Sequence, residues 1–338
     1  MKLAIYGAGS LGTILGAYIT RNGYAIDLIS RNKSHIRGLK TKGARITGTV
    51  KMTVPVKALL PEEITGKYDI IFLMTKTVDN EAAIKQCSRR LTGNGIICTM
   101  QNGLPEMSVS EIIGEDRTFG CSVEWGATLI GDGMCELTSE EDSITFSLGS
   151  FSRNPDVEKL QQLKTILESM GHVDIEKNFI GARWSKLLIN SSFSGMSAAL
   201  GCTFGEAAEN KTSRLCIQRI MKECIDVSKK AGIKIEPVQG KDICRLFDYQ
   251  TAIKRYFSFL LIPFAIRKHR LLKASMLQDL EKGRKSEVDS INGVVCKYGE
   301  KYGVPTHYND VVINVIHEIE QGKRKPCFDN IGLFRELP

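Results

Sequence analysis

The first dozen residues constrain this chain more than any other stretch. Met1–Tyr6 (MKLAIY) is a short apolar run, and Gly7-Ala8-Gly9-Ser10-Leu11-Gly12 follows at once. Thr13–Asn22 (TILGAYITRN) then continues as an apolar-faced helix. Strand, glycine turn and helix form the setting in which G-x-G-x-x-G marks a dinucleotide site. Gly7 permits the tight turn, Gly9 lets the backbone approach a pyrophosphate, and Gly12 lets the helix pack on the strand. The helix N-terminus adds free N–H groups and a partial positive charge for the phosphates. The alternative is a glycine-rich turn with no ligand; its place at the first strand of the chain argues against that.

Beyond this first helix, strand and helix patterns alternate. Ala25–Ile29 reads as the second strand and ends at Ser30-Arg31. An acidic residue there would bind the 2′-hydroxyl of NAD, whereas an arginine accommodates the 2′-phosphate of NADP. Arg31 therefore favours NADP, with Asp27, inside the strand, as the competitor. Asn32–Lys42 looks helical, and Ala44–Val56 alternates like a hairpin turning at Gly48. Asp69–Met74 and Gly95–Met100 are continuous apolar runs of the kind buried parallel strands show, with a helix at Val78–Leu91 between them. Thr75-Lys76 and Gln101-Asn102-Gly103 fall at their C-terminal ends, the edge where open α/β sheets bind ligands. Asn102 carries both a donor and an acceptor; the plainer account of Asn-Gly is a turn. Short strand-like runs fill Thr118–Leu148, Pro155–Met170 is amphipathic, and Val173–Ile175 closes the sheet. From about Ile180 helical periodicity dominates. The expected fold is α/β: an N-terminal Rossmann-type doubly wound sheet over residues 1–177, with a C-terminal all-helical domain over 178–338.

Composition narrows the functional classes. The chain has 338 residues, a length at which two domains are expected, with 42% hydrophobic and 25% charged residues as in ordinary globular proteins. Its net charge of +8 suits a phosphorylated cofactor or an anionic substrate. It also fits nucleic acid, but the basic stretches Arg267–Lys273 and Lys323–Lys325 belong to no recognisable nucleic-acid motif. Ten scattered cysteines without C-x-x-C or zinc spacing read as reduced thiols of a cytoplasmic protein without a metal. The opening apolar run is too short for a signal peptide. Tyr256–Ile266 (YFSFLLIPFAI) is apolar with basic flanks, but eleven residues broken by Pro263 do not span a bilayer. A buried or interfacial helix is expected, contact with a membrane surface being the lesser alternative. A homodimer is left open.

Two stretches of the helical half carry chemistry. In Ala182–Leu200 (ARWSKLLINSSFSGMSAAL), Lys186, Asn190 and Ser194 are spaced i, i+4, i+8 and share one face of a helix. If that face lines a cleft against the first domain, desolvation lowers the Lys186 pKa towards that of a general acid. Spacing alone fits a surface lysine equally well. In Ser275–Asn292 (SMLQDLEKGRKSEVDSIN), Ser275 and Glu287 flank a charged segment. Glu287 precedes a helix at Val288–Tyr302 that stops at Gly303, where a carboxylate also offsets the helix dipole.

Taken together, GAGSLG, Thr75-Lys76, Gln101-Asn102-Gly103, RWSKLLIN at Arg183–Asn190, Gly205-Glu206 and SMLQDLEKGRKSEVDSING at Ser275–Gly293 resemble the ketopantoate reductase (2-dehydropantoate 2-reductase) family over nearly the whole chain. The resemblance implies NADPH-dependent reduction of ketopantoate to pantoate, a step towards pantothenate and coenzyme A, at a site between the domains. It implies Lys186 as proton donor, Glu287 in contact with cofactor and substrate, and Asn102 serving both ligands. Asn190, Ser194 and Ser275 would bind substrate. Residues 7–12, Arg31, Lys76 and a backbone group of Gly126 would bind NADP. Ser194 and Phe204 stand where the well-studied bacterial type has asparagine, which opens the identity of the 2-oxo acid. The rival readings are a reductase of another 2-oxo acid or opine-like substrate, and a non-catalytic NADP-binding regulator.

Overall fold

Leu3–Tyr6 is strand β1, and its side chains divide between two cores. Leu3 and Ile5 join one apolar cluster, Ala4 and Tyr6 another, as the two-residue period of a strand covered on both faces requires. The computed structural model describes residues 1–237 and 241–334 and divides into two units, Met1–Phe179 and Ile180–Pro338. In the first, β1 is followed by α1 (Ser10–Arg21), β2 (Ile26–Ile29), α2 (Lys33–Lys42), β3 (Ala44–Gly48), β4 (Met52–Val54), β5 (Lys57–Leu59), β6 (Tyr68–Leu73) and α3 (Asn80–Arg89). Then come β7 (Leu91–Thr99), α4 (Glu106–Ile113), β8 (Thr118–Val123), β9 (Ala127–Gly131), β10 (Met134–Leu137), β11 (Thr145–Ser150), α5 (Val157–Leu167) and β12 (His172–Ile175).

Eight strands form one sheet in the order β12-β11-β8-β7-β6-β1-β2-β5, parallel throughout except between β8 and β11. This is the doubly wound α/β sheet that the alternation predicts. The strand order reverses between β1 and β6, so the crevice beyond their C-terminal ends is the place such folds reserve for a ligand. The hairpin expected in 44–56 is present as β3-β4, with Ala44 opposite Val54. It belongs to a second sheet, β4-β3-β10-β9, which the sequence does not announce. Two other readings shift. The helix expected from Val78 begins at Asn80 after a 3₁₀ turn, and Leu91 already belongs to β7, which is longer than Gly95–Met100.

The second unit is built from α6 (Phe179–Ile189), a π-helical turn (Asn190–Ser194), α7 (Gly195–Leu200), α8 (Phe204–Glu209), α9 (Lys211–Lys230), α10 (Ile243–Phe247), α11 (Ala252–Ala265), α12 (Ser275–Glu281), α13 (Val288–Tyr302) and α14 (His307–Glu320). Gly303 ends α13 in the left-handed region, φ +68°, as the stop signals predict. The apolar segment 256–266 lies mostly within α11, but it is not buried. Ser258 and Ile262 face inward, while Ile253, Tyr256, Phe257 and Phe264 are exposed. No helix among the described residues is long and apolar enough to cross a membrane. All ten cysteines are unbridged.

Candidate active site

The glycine turn has the geometry that its spacing predicts. Gly7 adopts φ +111°, and a Cβ there would lie 2.3 Å from Thr75 N, so β1 can leave the sheet only with glycine at this point. A Cβ on Gly12 would lie 2.7 Å from the Gly7 carbonyl oxygen, which is the close helix–strand approach. Gly9 differs: a Cβ there would meet no protein atom within 4 Å. The space in front of Gly9 is therefore available to a ligand. Gly9 caps α1 without a side-chain hydrogen bond, and the first turn holds no acidic residue. The amide end of α1 thus keeps its positive field for an anion. An open cradle at Gly9 and an uncompensated helix start fit a dinucleotide pyrophosphate.

The turn is tied to the end of β2, because the N–H groups of Gly7 and Ala8 both donate to the Ile29 carbonyl at 2.9 and 2.8 Å. Arg31 stands two residues further on and is exposed. Asp27 sits deeper in the strand, opposite Ala4. Its carboxylate accepts from Lys57 Nζ at 2.9 Å and from the Tyr68 hydroxyl at 2.8 Å. Of the two candidates for the ribose position, Asp27 is held by Lys57 and Tyr68. Lys76 is exposed on the loop after β6, whose Thr75 backbone packs against Gly7. Gln101, buried at the end of β7, holds that loop: its Nε2 donates to Thr75 O at 2.8 Å and to Asn80 Oδ1 at 2.9 Å. Asn102 follows, half-buried, and Gly103 turns the chain at φ +82°. Gly126 fits its expected role least well. Its N–H donates to Ser139 Oγ at 2.9 Å and its carbonyl accepts from Thr138 N at 3.0 Å, so both backbone groups serve the local turn.

In the second unit the expected face survives with one change. Between Gly181 and Leu200 only Ala182, Lys186, Ile189 and Asn190 are half-exposed; the other residues are buried. Ala182, Lys186 and Asn190 therefore form the accessible stripe that i, i+4 spacing predicts. The change is at Ser194. The helix does not stay α: residues Asn190–Ser194 form a π turn, in which the Gly195 N–H reaches back five residues to Asn190 O. Ser194 is buried and its hydroxyl donates to Asn190 Oδ1 at 3.5 Å. Phe204 is buried as well and packs against Phe193 with the rings tilted by 31° and their centroids 5.6 Å apart, so it backs the π turn with an aromatic pair.

Glu287 immediately precedes α13 and is 9% exposed. Its side chain makes no capping hydrogen bond, and any offset of the helix dipole by this carboxylate acts through charge alone. Ser286 does the local fixing: its N–H and hydroxyl donate to Glu320 Oε1 at 2.7 and 2.8 Å, and Val288 N donates to its Oγ. Ser275 opens α12, exposed, with the preceding Ala274 N–H donating to Ser197 Oγ on α7. Both α12 and α13 contact the π turn, so the elements carrying Asn190, Ser194, Ser275 and Glu287 come together. Sequence reasoning missed Gln101 and Ser286 as supports. Each lies beside a residue it singled out, but their partners are 21 to 34 residues distant, beyond any local pattern.

A glycine turn open at Gly9 beside a switch point, and a helical unit with a lysine on one accessible stripe, fit a dinucleotide-dependent oxidoreductase. Comparison with known proteins is more specific. The family described as Ketopantoate reductase PanE/ApbA matches residues 3–150, and its C-terminal counterpart matches residues 178–320. The chain belongs to the ketopantoate reductase family. It is 28% identical to the 2-dehydropantoate 2-reductase of Aquifex aeolicus, over 94% of this chain and 96% of that protein. Among solved structures, a family member from Ralstonia eutropha superposes with a TM-score of 0.79 at 22% identity, over 96% of this chain and 99% of that one. The ternary structure of D-mandelate dehydrogenase with NADH and anilino(oxo)acetate gives the same score at 21% identity, over 95% and 99%.

Proposed function

We propose that this enzyme reduces 2-dehydropantoate (ketopantoate) to pantoate with NADPH, in the cytoplasm, where ten unbridged cysteines persist as thiols. The observation that carries the reading is the stripe of Lys186 and Asn190, half-exposed in a segment otherwise buried. When bound, the reduced nicotinamide supplies the hydride. Residues 7–12 receive the pyrophosphate, Arg31 pairs with the 2′-phosphate, and Lys76 and Asn102 hold the remainder of the cofactor. Lys186 hydrogen-bonds the ketone oxygen and delivers the proton as negative charge develops there. Asn190, Ser194 and Ser275 orient the substrate by hydrogen bonds, and Glu287 contacts both ligands.

A second reading, reduction of a bulkier and more apolar 2-oxo acid, draws on the Phe193–Phe204 pair and on the short reach of Ser194. Initial rates with ketopantoate and a panel of aliphatic and aromatic 2-oxo acids, each with NADPH and with NADH, decide between them. Ketopantoate with NADPH is expected to give the highest kcat/KM. A higher value for an aromatic 2-oxo acid would transfer the assignment to the second reading, and no turnover of any member would remove both.

A further inference from the structure

The π turn costs the helix a hydrogen bond that a buried side chain restores. In an α-helix the Gly195 N–H would go to Ser191 O, four residues back; here it goes to Asn190 O and Ser192 O. The Ser191 carbonyl accepts instead from Asn292 Nδ2 at 3.0 Å. Asn292 lies on α13, fully buried, and the same amide donates to Asn309 Oδ1 at 2.9 Å. Asn309, also fully buried, opens α14 and donates its own Nδ2 to Glu223 Oε2 on α9 at 2.7 Å. Glu223 takes two further N–H groups, from Tyr308 at 2.8 Å and Asn309 at 3.1 Å. Both Glu223 oxygens accept, Oε1 from Tyr308 and Oε2 from Asn309, so the Asn309 amide nitrogen faces Glu223 and its oxygen faces Asn292. Asn292 must then present its NH₂, and its second hydrogen meets Ser191 O. Gly195 leaves room for this: a Cβ there would lie 3.2 Å from the Asn292 amide.

We propose that Asn292, aligned by Asn309 and Glu223, is a positioning residue that latches the Ser191 carbonyl and holds Asn190–Ser194 in the π form. This rests on the reading that Asn190 and Ser194 bind substrate. A π turn adds one residue of register, about 100° of rotation. Its loss rotates Ser194 out of the buried position beside Asn190 that it has here and changes the register of the helix beyond it. The latch also fixes the helix that begins after Glu287 against the same turn.

Asn292→Leu keeps the volume and removes the donor. The expected result is a KM for the 2-oxo acid raised about tenfold or more, the scale of one lost buried hydrogen bond. NADPH affinity should change less than twofold, and amide exchange in residues 188–196 should quicken. Unchanged KM and exchange would overturn the proposal. If this variant fails to fold, the reversed pair answers instead. Asn309→Asp alone sets two carboxylates together and should raise KM; adding Glu223→Gln restores a donor–acceptor pair that again orients Asn292, and KM should return towards wild type. A double variant no better than the single one would overturn the latch. Asn190→Ala and Ser194→Ala test the underlying reading separately. If neither raises KM, the substrate assignment fails, whereas if both do while Asn292→Leu does not, the latch alone fails.

Discussion

At the scale of single residues, two side chains bear most of the proposed chemistry. Arg31 follows a strand whose one acidic residue, Asp27, is held by Lys57 and Tyr68. Arg31→Ala should therefore weaken NADPH far more than NADH, since only NADPH has the 2′-phosphate to pair with. Fluorescence titration of both cofactors measures this, and an equal loss for the two would remove Arg31 as selector. Lys186 is expected to act where charge appears on the ketone oxygen, an interaction stronger in the transition state than in the bound substrate. Lys186→Ala should lower kcat by about 10²–10⁴-fold, the usual contribution of a general acid, with the NADPH dissociation constant nearly unchanged. A variant that keeps its kcat but loses NADPH would make Lys186 a cofactor ligand. The spacing of Lys186 and Asn190 made this face legible in the sequence, because i, i+4 geometry is local. Asn292 was visible only as a letter in SEVDSING; its partners Ser191 and Asn309 lie 101 and 17 residues away, a relation that helical periodicity does not encode.

At the scale of elements, the β1–α1 turn separates two uses of glycine that the motif alone presents alike. Gly7→Ala forces a Cβ into the Thr75 backbone at a φ of +111°. It should destabilise the protein by about 3 kcal/mol or more, visible as a large fall in Tm. Gly9→Ala meets no protein atom. Its Tm should stay near that of the wild type while NADPH binding weakens about tenfold or more, as a methyl group fills the pyrophosphate's place. If Gly9→Ala binds NADPH normally, the cradle is not where the phosphates lie. Elements with strong local signals were legible: β1, α1, the β3-β4 hairpin and α13 with its glycine stop. The π turn was not, since the run LLINSSFSG carries an unbroken helical signal. The exposure of α11 was not legible either, because an apolar stripe has the same spacing whether it faces a core or solvent.

At the scale of the whole molecule, the half-buried Glu223 and the buried His35 give the units opposite responses to pH. Burial pushes the Glu223 carboxyl up to about 7 from its ordinary 4.5. Between those values the folded state binds more protons than the unfolded one, so this contribution to stability falls as pH rises through the window and is flat above about 7. Burial pushes the His35 imidazole below its ordinary 6.5. Its Nδ1 accepts from Gly133 N, leaving Nε2 to donate to Thr13 Oγ1. Here the unfolded state binds more protons, so stability falls as pH drops below 6.5. Melting curves from about pH 5 to 8 should show Glu223→Gln gaining on wild type as pH rises, and His35→Gln gaining as pH falls. Parallel curves for either variant would deny that residue its linkage. The smaller sheet has a further consequence, for synthesis. Thr47 reaches across to Cys135, 88 residues later in the chain. At roughly 5–20 residues per second, the nascent hairpin β3-β4 waits about 4–18 seconds with one edge unpaired, an open template for wrong pairing until β10 emerges. Translation speed between residues 54 and 134 should then govern how much of this enzyme reaches its native state.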